Sequence, residues 1–232
     1  MIVQRKSGER GYAHHGWLES WHSFSFADYR DPEHVHFGPL RVINEDIVQP
    51  GTGFGTHGHR DMEILTYVLS GTLRHRDSTG SSGDIRYGEV QLMSAGTGVQ
   101  HSEVNPLQGE AVHLLQIWIM PDRQGLAPGY RQKDFPLKDK LARWCLLASP
   151  DTGNGSLLIH QDACVFAARL GASETLDYSL AEGRKAYLHV ARGSLSANGY
   201  GLSAGDALMY SDEKGLSLAN ADDAEVLLFD LG

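Results

Sequence analysis

Four side chains that can bind a transition metal occur as two pairs with the same spacing. His57 and His59 stand two residues apart in GTGFGTHGHRDM. His101 and Glu103 stand two residues apart in TGVQHSEVN. Residues i and i+2 of a β-strand point to the same face, so each pair presents its ligand atoms together. Three imidazoles and one carboxylate suit a divalent ion such as Fe, Mn, Co, Ni, Cu or Zn. If both strands line one barrel, the sequence predicts a single metal site.

The His-x-His spacing is weak evidence by itself. The chain has 12 His in 232 residues, a composition that yields about 0.6 such matches by chance, which is the false-positive risk of any short motif. A second match, His34 and His36, lies in the polar segment DPEHVHFGPL without a partner pair. We interpret this second match as surface histidines.

The elements that position these pairs are expected to be β-strands. Short apolar runs recur between turn residues, and the chain contains 27 Gly, well above the usual share. No long run has helical periodicity. This pattern predicts an all-β sandwich or barrel. The clearest predicted strands are 40–48 (LRVINEDIV), 64–69 (ILTYVL), 90–95 (VQLMSA) and 112–120 (VHLLQIWIM).

The chain divides into two similar halves. After Pro121 the stretch PDRQGLAPGYRQKDFPLKDK is polar and proline-containing, as is typical of a linker or covering loop. Beyond it, HVARGSLSANG parallels the earlier YVLSGTLRHRD and aligns Gly193 with Gly71, and AEVLLFDL parallels AVHLLQIWI. We interpret the halves as two copies of one β-unit.

Composition excludes several classes of function. The net charge is −9 and no basic run occurs, so direct nucleic-acid binding is not expected. No stretch approaches the roughly 18 consecutive apolar residues of a membrane span, and the first residues lack the apolar core of a signal peptide. Cys145 and Cys164 form no CxxC pair. We expect reduced thiols and a cytoplasmic protein.

The two ligand pairs lie in motifs that resemble those of the cupin superfamily. The first motif of that superfamily is matched by Gly51, His57-Gly58-His59 and Gly71, and the second by Gly88, Gly96, His101 and Asn105. Ile64 occupies the slot where the usual cupin Glu ligand stands, and Glu63 is displaced by one residue, which turns it to the other face of a regular strand. Glu103 can supply the missing carboxylate.

That substitution and the longer segments WLESWHSFSFADY, LRVINED, MSAGTGVQHSE and QIWIMP resemble the pirin family, strongly over residues 10–121 and more weakly beyond. The resemblance implies a bicupin with one metal in its N-terminal barrel. Fe(II) is the expected metal, with Mn, Co, Ni, Cu or Zn as alternatives. The implied ligands are His57, His59, His101 and Glu103.

The resemblance also implies the division of the chain. We expect a metal-binding cupin barrel over residues 1–130 and a degenerate cupin barrel without ligands over residues 131–232. Alignment without gaps places Ser179 and Ala181 at the positions of the paired histidines, and alignment of the second motif places Leu216 and Leu218 at the positions of His101 and Glu103.

The bacterial pirins that the sequence resembles most imply quercetin 2,3-dioxygenase activity. In that reaction O2 opens the central ring of a flavonol and carbon monoxide leaves, with Glu103 as both ligand and proton acceptor. The expected partners are therefore a flavonol-like molecule and O2. We expect the segments 51–55 and 24–29 to form walls of the substrate cleft. The alternatives are a redox-sensing regulatory protein with an unidentified protein partner, and a metal-dependent isomerase or small-molecule binder.

Three further polar residues have a structural and a functional interpretation. His22 and His113 have apolar neighbours in WHSFSF and VHLLQIWI, which favours hydrogen-bonded core or rim histidines. Glu63 is a candidate to orient a ligand imidazole from outside the ligand set. Its alternative role is that of a rim carboxylate.

Overall fold

Strands account for nearly all of the regular structure in the computed structural model, which describes residues 1–232. The strands up to Asp134 are β1 (Ile2–Arg5), β2 (Gly11–His14), β3 (Leu18–His22), β4 (Leu40–Val48), β5 (Gly53–His59), β6 (Glu63–Ser70), β7 (Thr72–Asp77), β8 (Ser82–Arg86), β9 (Glu89–Ser94), β10 (Val99–Val104), β11 (Val112–Ile119) and β12 (Gly129–Asp134). The later strands are β13 (Cys145–Ser149), β14 (Leu157–Leu158), β15 (Ala163–Leu170), β16 (Leu176–Ser179), β17 (Lys185–Ala197), β18 (Tyr200–Ser203), β19 (Ala207–Tyr210) and β20 (Gly215–Leu231). The helices are short 3-10 turns at Ser7–Glu9, Leu137–Asp139 and Gly153–Gly155. None of them is long and apolar enough to cross a bilayer. The all-β prediction is confirmed.

The four predicted strands correspond to β4, β6, β9 and β11. The polar stretch after Pro121 is not only a covering loop, because its last part forms β12. This strand pairs antiparallel with β9, from Gly129 opposite Ser94 to Asp134 opposite Glu89. Strand β12 lies at the edge of its sheet, where polar and charged side chains are common. Because β12 is polar, the pattern of apolar residues did not predict this strand.

Contacts divide the chain into two compact units. We call residues 11–134 with 159–161 the N-terminal barrel, and residues 1–10, 135–158 and 162–232 the C-terminal barrel. The expected division at residue 130 differs from this arrangement at the start of the chain. The first ten residues belong to the C-terminal barrel because β1 pairs with β19, placing Ile2 opposite Tyr210.

Two sheets form the N-terminal barrel. One has the order β5-β10-β7-β8, and the other has the order β12-β9-β6-β11-β4-β3-β2. Leu73 and Ile85 of the first sheet pack in one buried cluster with Val68, Val112 and Leu114 of the second. Apolar side chains therefore hold the two sheets face to face at one end of the barrel, as in other β-sandwiches.

Long strands close the C-terminal barrel. Strand β20 pairs with β16 near its start and with β15 near its end, and β17 pairs with both β18 and β19. Gly71 and Gly193, which the sequence comparison aligns, both have positive φ, 77° and 65°. A Cβ atom would lie 2.7 Å from the Ala111 carbonyl oxygen at Gly71 and 2.3 Å from the Asp222 carbonyl oxygen at Gly193. Only glycine meets both requirements without strain.

The strand register of the C-terminal barrel corrects one alignment. Leu216 stands opposite Tyr178, just as His101 stands opposite His57 in the N-terminal barrel. The counterparts of the paired histidines are therefore Tyr178 and Leu180, and not Ser179 and Ala181, which are exposed. The gap-free alignment was wrong by one residue, because loops of different length separate the strands in the two halves. Three leucines and one tyrosine therefore occupy the four equivalent positions; Leu180, Leu216 and Leu218 belong to one core cluster, and the ring of Tyr178 packs against it.

Candidate metal centre and cavity

Strands β5 and β10 bring the two predicted ligand pairs together. The strands are antiparallel neighbours, with His101 opposite His57 and Val99 opposite His59. The register shifts between His101 and Glu103, where the ladder is irregular. The i, i+2 spacing on each strand therefore places the side chains on a common face, and the irregularity displaces Glu103 from a regular position.

His57, His59 and His101 form a compact group that we call the imidazole cluster. The ring centroids of His57 and His101 are 4.4 Å apart, and each lies 4.8 Å from the centroid of His59. One ring nitrogen from each of the three residues lies within 4.8 Å of the others. The structure therefore confirms the predicted convergence of the three histidines.

The donor atoms of the imidazole cluster fit a transition-metal ion. The Nε2 atoms of His57 and His101 are 3.0 Å apart. Two nitrogens that bind adjacent positions of one ion at about 2.1 Å lie about 3 Å apart, so this separation matches shared coordination. The other nitrogen of His57, Nδ1, donates a hydrogen bond to the Gly55 carbonyl oxygen at 2.8 Å. This bond sets the tautomer that leaves the Nε2 lone pair directed at the site.

Burial keeps His59 and His101 in the neutral form that metals require. Desolvation, with the neighbouring His57 as a second cause, lowers the pKa of His59 from 6.5 to about 4. Desolvation also lowers the pKa of His101, to about 3, with further contributions from the adjacent imidazoles. Neutral imidazole is the metal ligand, so neither residue has to lose a proton to bind an ion at neutral pH.

Glu103 lies beside the imidazole cluster and is held by polar neighbours on the opposite sheet. Its Oε2 atom accepts a hydrogen bond from Gln116 Nε2, and its Oε1 atom accepts a long bond of 3.4 Å from Thr66 Oγ1. Burial raises the pKa of Glu103 from 4.5 to about 7. The metal-capable atoms of Glu103 group with those of His101 and His75, and not with all three members of the cluster.

His75 is a buried residue of this centre that the sequence analysis missed. It stands opposite Glu103 on β7, and its Nδ1 atom is 3.4 Å from Nδ1 of His101. Its Nε2 atom donates to Asp77 Oδ2 at 3.0 Å, and its ring stacks on Tyr130 at a centroid distance of 4.7 Å. The His-x-Asp spacing in LRHRD was a usable signal, since it places both side chains on one face of a strand.

A cavity of about 750 Å³ opens beside the imidazole cluster. Its walls are largely aromatic. Trp17 meets Phe54 edge-to-face at 5.1 Å, and Phe26 meets Trp118 edge-to-face at 5.4 Å. Trp118 also packs edge-to-face on His59 at 4.9 Å. A cavity of this size and composition accommodates a flat apolar ligand of several rings.

The expected walls of the cleft are confirmed in part. Phe54 lines the cavity, but the glycines of segment 51–55 do not. Residues 26–29 line it as well, whereas Phe24 is buried elsewhere at 1% exposure. The aromatic rings among the cavity-lining residues of the two segments are those of Phe26, Tyr29 and Phe54.

Four polar residues on β3 and β4 form a further surface of the cavity, which we call the polar wall: Ser20, His22, Asn44 and Asp46. Ser20 Oγ donates to Asp46 Oδ1. His22 Nδ1 donates to Asn44 Oδ1 at 2.9 Å. The prediction that His22 is a hydrogen-bonded core histidine is confirmed.

The remaining candidates lie outside the imidazole cluster. Glu63 is buried and accepts hydrogen bonds from Ser94 Oγ at 3.0 Å and from the His160 backbone at 3.3 Å. It orients none of the cluster imidazoles, since a one-residue offset turns it away while Ile64 faces the cavity. His113 donates to Glu45 at 2.9 Å, as expected of a rim histidine.

The second His-x-His match also lies outside the cluster. His34 contacts Asp31 at 3.0 Å, and His36 bonds the Gly38 carbonyl oxygen at 3.0 Å. Both therefore serve the local loop structure, as the surface interpretation predicted.

Comparisons with known proteins agree with this geometry. The family model described as Pirin matches residues 3–119, and that of the quercetinase C-terminal cupin domain matches residues 146–231. The chain is 48% identical to quercetin 2,3-dioxygenase of Escherichia coli K12 over 100% of this chain and 99% of the relative. It is 46% identical to a putative quercetin 2,3-dioxygenase of Pseudomonas aeruginosa over the full length of both. Among solved structures, the bacterial pirin YhhW of Escherichia coli in complex with nickel(II) superposes with a TM-score of 0.95 at 48% identity, covering 100% of this chain and 99% of that one.

Proposed function

This chain belongs to the pirin family of bicupins, and we propose that it is a metal-dependent dioxygenase that opens the central ring of flavonols such as quercetin with O2 and releases carbon monoxide. The observation that carries the proposal is the imidazole cluster at the edge of an aromatic cavity of about 750 Å³. The names of the relatives supply the substrate class, and a relative in complex with nickel(II) supports a bound divalent ion.

The proposed ligands of the ion are His57, His59, His101 and Glu103. Iron is the expected metal, and the nickel(II) complex of the relative makes nickel an equal candidate. A divalent ion at this position supplies Lewis acidity toward the oxygens of the flavonol. Binding by Glu103 requires its carboxylate to turn from the contacts with Gln116 and Thr66 toward the imidazole cluster.

The protein side of the reaction consists of positioning and one proton transfer. Aromatic walls formed by Trp17, Phe54, Phe26 and Trp118 hold the flavonol rings and exclude water. Glu103 accepts the proton of the 3-hydroxyl on Oε1, the oxygen that makes only the long contact with Thr66. Burial raises the pKa of Glu103 in the metal-free protein to about 7, which favours proton uptake by the carboxylate when it is not bound to the ion.

The hydrogen bond from Gln116 has a defined role in that step. It holds Oε2 of Glu103 when the carboxylate is not bound to the ion, and Oε1 is then available to the substrate. His75 supports the opposite side of the site through its contact with His101 and its bond to Asp77. Neither residue has to touch the flavonol for this arrangement to work.

Turnover of quercetin tests the proposal. The full-length protein is loaded separately with iron, manganese, cobalt, nickel and copper, and quercetin absorbance, O2 uptake and carbon monoxide release are followed under air. We expect activity with at least one metal. Glu103→Gln should lower the rate about 10²- to 10⁴-fold, the usual contribution of a general base. The control, Glu110→Gln, removes an exposed carboxylate of the same barrel and should leave the rate unchanged.

Absence of both O2 uptake and carbon monoxide release with every metal would contradict the dioxygenase. The alternative of a metal-dependent regulatory binding protein would then take its place. Full activity of the Glu103→Gln variant would agree with the dioxygenase activity but contradict the role of Glu103 as proton acceptor.

A further inference from the structure

The cavity has a second polar surface that the proposed reaction at the imidazole cluster does not use. The polar wall lies on β3 and β4 of the seven-stranded sheet, whereas the imidazole cluster lies on β5 and β10 of the four-stranded sheet. Both line the same cavity. A ligand that fills the space between the two sheets therefore contacts both surfaces.

Asp46 is the residue of the polar wall that can accept a further hydrogen bond. It is 3% exposed, and its one hydrogen bond comes from Ser20 Oγ to Oδ1. No Lys or Arg pairs with it, and its Oδ2 atom accepts no hydrogen bond from the protein. A buried carboxylate with a single hydrogen bond and no cation is costly unless it has another partner. Burial also raises the pKa of Asp46 from 3.8 to about 7, as expected for a carboxyl group that lacks charge compensation.

The strand register places Asp46 apart from the proton acceptor of the proposed reaction. Gln116, which holds Glu103, stands opposite Asn44, and Asp46 stands opposite Leu114. Two residues along a strand correspond to about 7 Å on the same face. A planar ligand with one hydroxyl at the metal centre can therefore present a different hydroxyl to Asp46.

The neighbouring polar pair does not compete for that hydroxyl. Asn44 Oδ1 already accepts a hydrogen bond from His22 Nδ1. Ser20 Oγ donates its proton to Asp46 Oδ1, which orients the carboxylate and leaves Oδ2 as the acceptor. The wall therefore offers an oriented carboxylate oxygen to a hydroxyl donor.

We propose that Asp46, oriented by Ser20, accepts a hydrogen bond from a phenolic hydroxyl of the flavonol other than the 3-hydroxyl, and thereby sets a preference for polyhydroxylated flavonols. This assignment rests on the proposed function, because the ligand class comes from it. The structure supplies the residue and the atom. Asp46 is a specificity-determining residue in this scheme and takes no part in the ring opening.

Anaerobic binding measures the assignment directly. The full-length protein loaded with Ni²⁺ is titrated calorimetrically without O2 against quercetin and against 3-hydroxyflavone, which keeps the 3-hydroxyl and lacks the other hydroxyls. A hydrogen bond to a carboxylate gives the wild-type protein an expected preference for quercetin of about 10- to 100-fold. In Asp46→Ala the preference should fall to within about threefold, with 3-hydroxyflavone binding retained, because only the hydroxyl contact is lost.

Two further variants keep the test decisive. Asp46→Asn keeps the shape and the bond from Ser20, and it should lower the preference by at least about threefold, since the charge-assisted bond is lost. The control is Glu45→Gln, which changes the adjacent carboxylate on the opposite face of β4, bonded to His113. It should leave the preference as in the wild type.

Equal binding of the two flavonols to the wild-type protein would overturn the assignment, as would an undiminished preference in both Asp46 variants. The outcome is separable from that of the proposed function, because the titration excludes O2. A protein that shows the shift in preference but never turns over quercetin refutes the reaction and keeps the binding role of Asp46. A protein that turns over quercetin, but whose Asp46 variants show no shift in preference, keeps the proposed reaction and refutes the binding role of Asp46.

Discussion

Replacing Asp46 by asparagine should stabilise the protein above neutral pH, although the residue lies in the proposed substrate cavity. Burial raises the pKa of this carboxyl group from 3.8 to about 7 on folding. The corresponding cost of keeping the ionised form buried is about 4 kcal/mol. Asparagine avoids that cost and can still accept the hydrogen bond from Ser20 on Oδ1. Residual solvation of the wild-type carboxylate reduces the expected gain to about 2–4 kcal/mol.

The stability difference between Asp46→Asn and the wild-type protein should depend on pH. Below pH 3.8 the carboxyl group is protonated in both the folded and the unfolded chain, so the substitution has no electrostatic benefit. Between pH 3.8 and about 7 the unfolded chain releases the proton while the folded chain keeps it, and the wild-type protein loses stability as the pH rises. The advantage of the variant should therefore grow across this window and be complete at pH 8.

Thermal unfolding at pH 4.5 and at pH 8, in chelator, measures the effect. We expect the melting temperature of Asp46→Asn to exceed that of the wild type by roughly 5–10 °C at pH 8 and by far less at pH 4.5. Asp28→Asn is the matched control, because Asp28 is exposed at the mouth of the same cavity, and it should change neither value. A variant that is no more stable than the wild type at pH 8 would refute the argument that Asp46 is a carboxylate buried at a cost for the sake of a ligand.

Three further predictions concern the metal centre. The double substitution His57→Ala, His59→Ala should remove most of the metal, whereas His36→Ala should retain one ion per chain. Full metal retention in the double variant would contradict the assignment of His57 and His59 as ligands. His75→Ala should weaken metal affinity about 10- to 100-fold although His75 is not a proposed ligand, because it supports His101; competition with a chelator measures this, and wild-type affinity would refute the supporting role. Desolvation keeps the pKa of His59 at about 4 and that of His101 at about 3, whereas burial raises the pKa of Glu103 to about 7. Metal affinity measured by dialysis should therefore fall as the pH decreases below about 7, because Glu103 takes up a proton, and an affinity that does not change between pH 8 and pH 6 would contradict its role as a ligand.

Local patterns in the sequence determined the fold class and the composition of the centre. The i, i+2 spacing depends only on the two-residue period of a strand, so the shared faces of His57 with His59 and of His101 with Glu103 could be predicted without a structure. The apolar runs predicted β4 and β11 from local sequence as well, because strands that are buried in a core consist largely of apolar residues. The turn glycines Gly71 and Gly193 marked the duplication because positive φ is a local property of the backbone.

Tertiary structure decided which side chains meet across strands that are distant in the sequence. Glu103 bonds Gln116 and Thr66 beside the imidazole cluster, because the ladder is irregular between His101 and Glu103 and because β11 and β6 present polar groups there. His75 joins the centre through the pairing of β7 with β10, which the His-x-Asp spacing on β7 alone does not establish.

The same limit applies to the polar wall and to the C-terminal barrel. Ser20 and Asp46 stand 26 residues apart and meet only because β3 pairs with β4 in that register. The counterpart of His57 is Tyr178, and not Ser179, because loop lengths shift the register between the two halves. Side-chain periodicity is a property of a single strand, whereas register is set by the turns and by the packing of both sheets, and neither can be deduced from one strand alone.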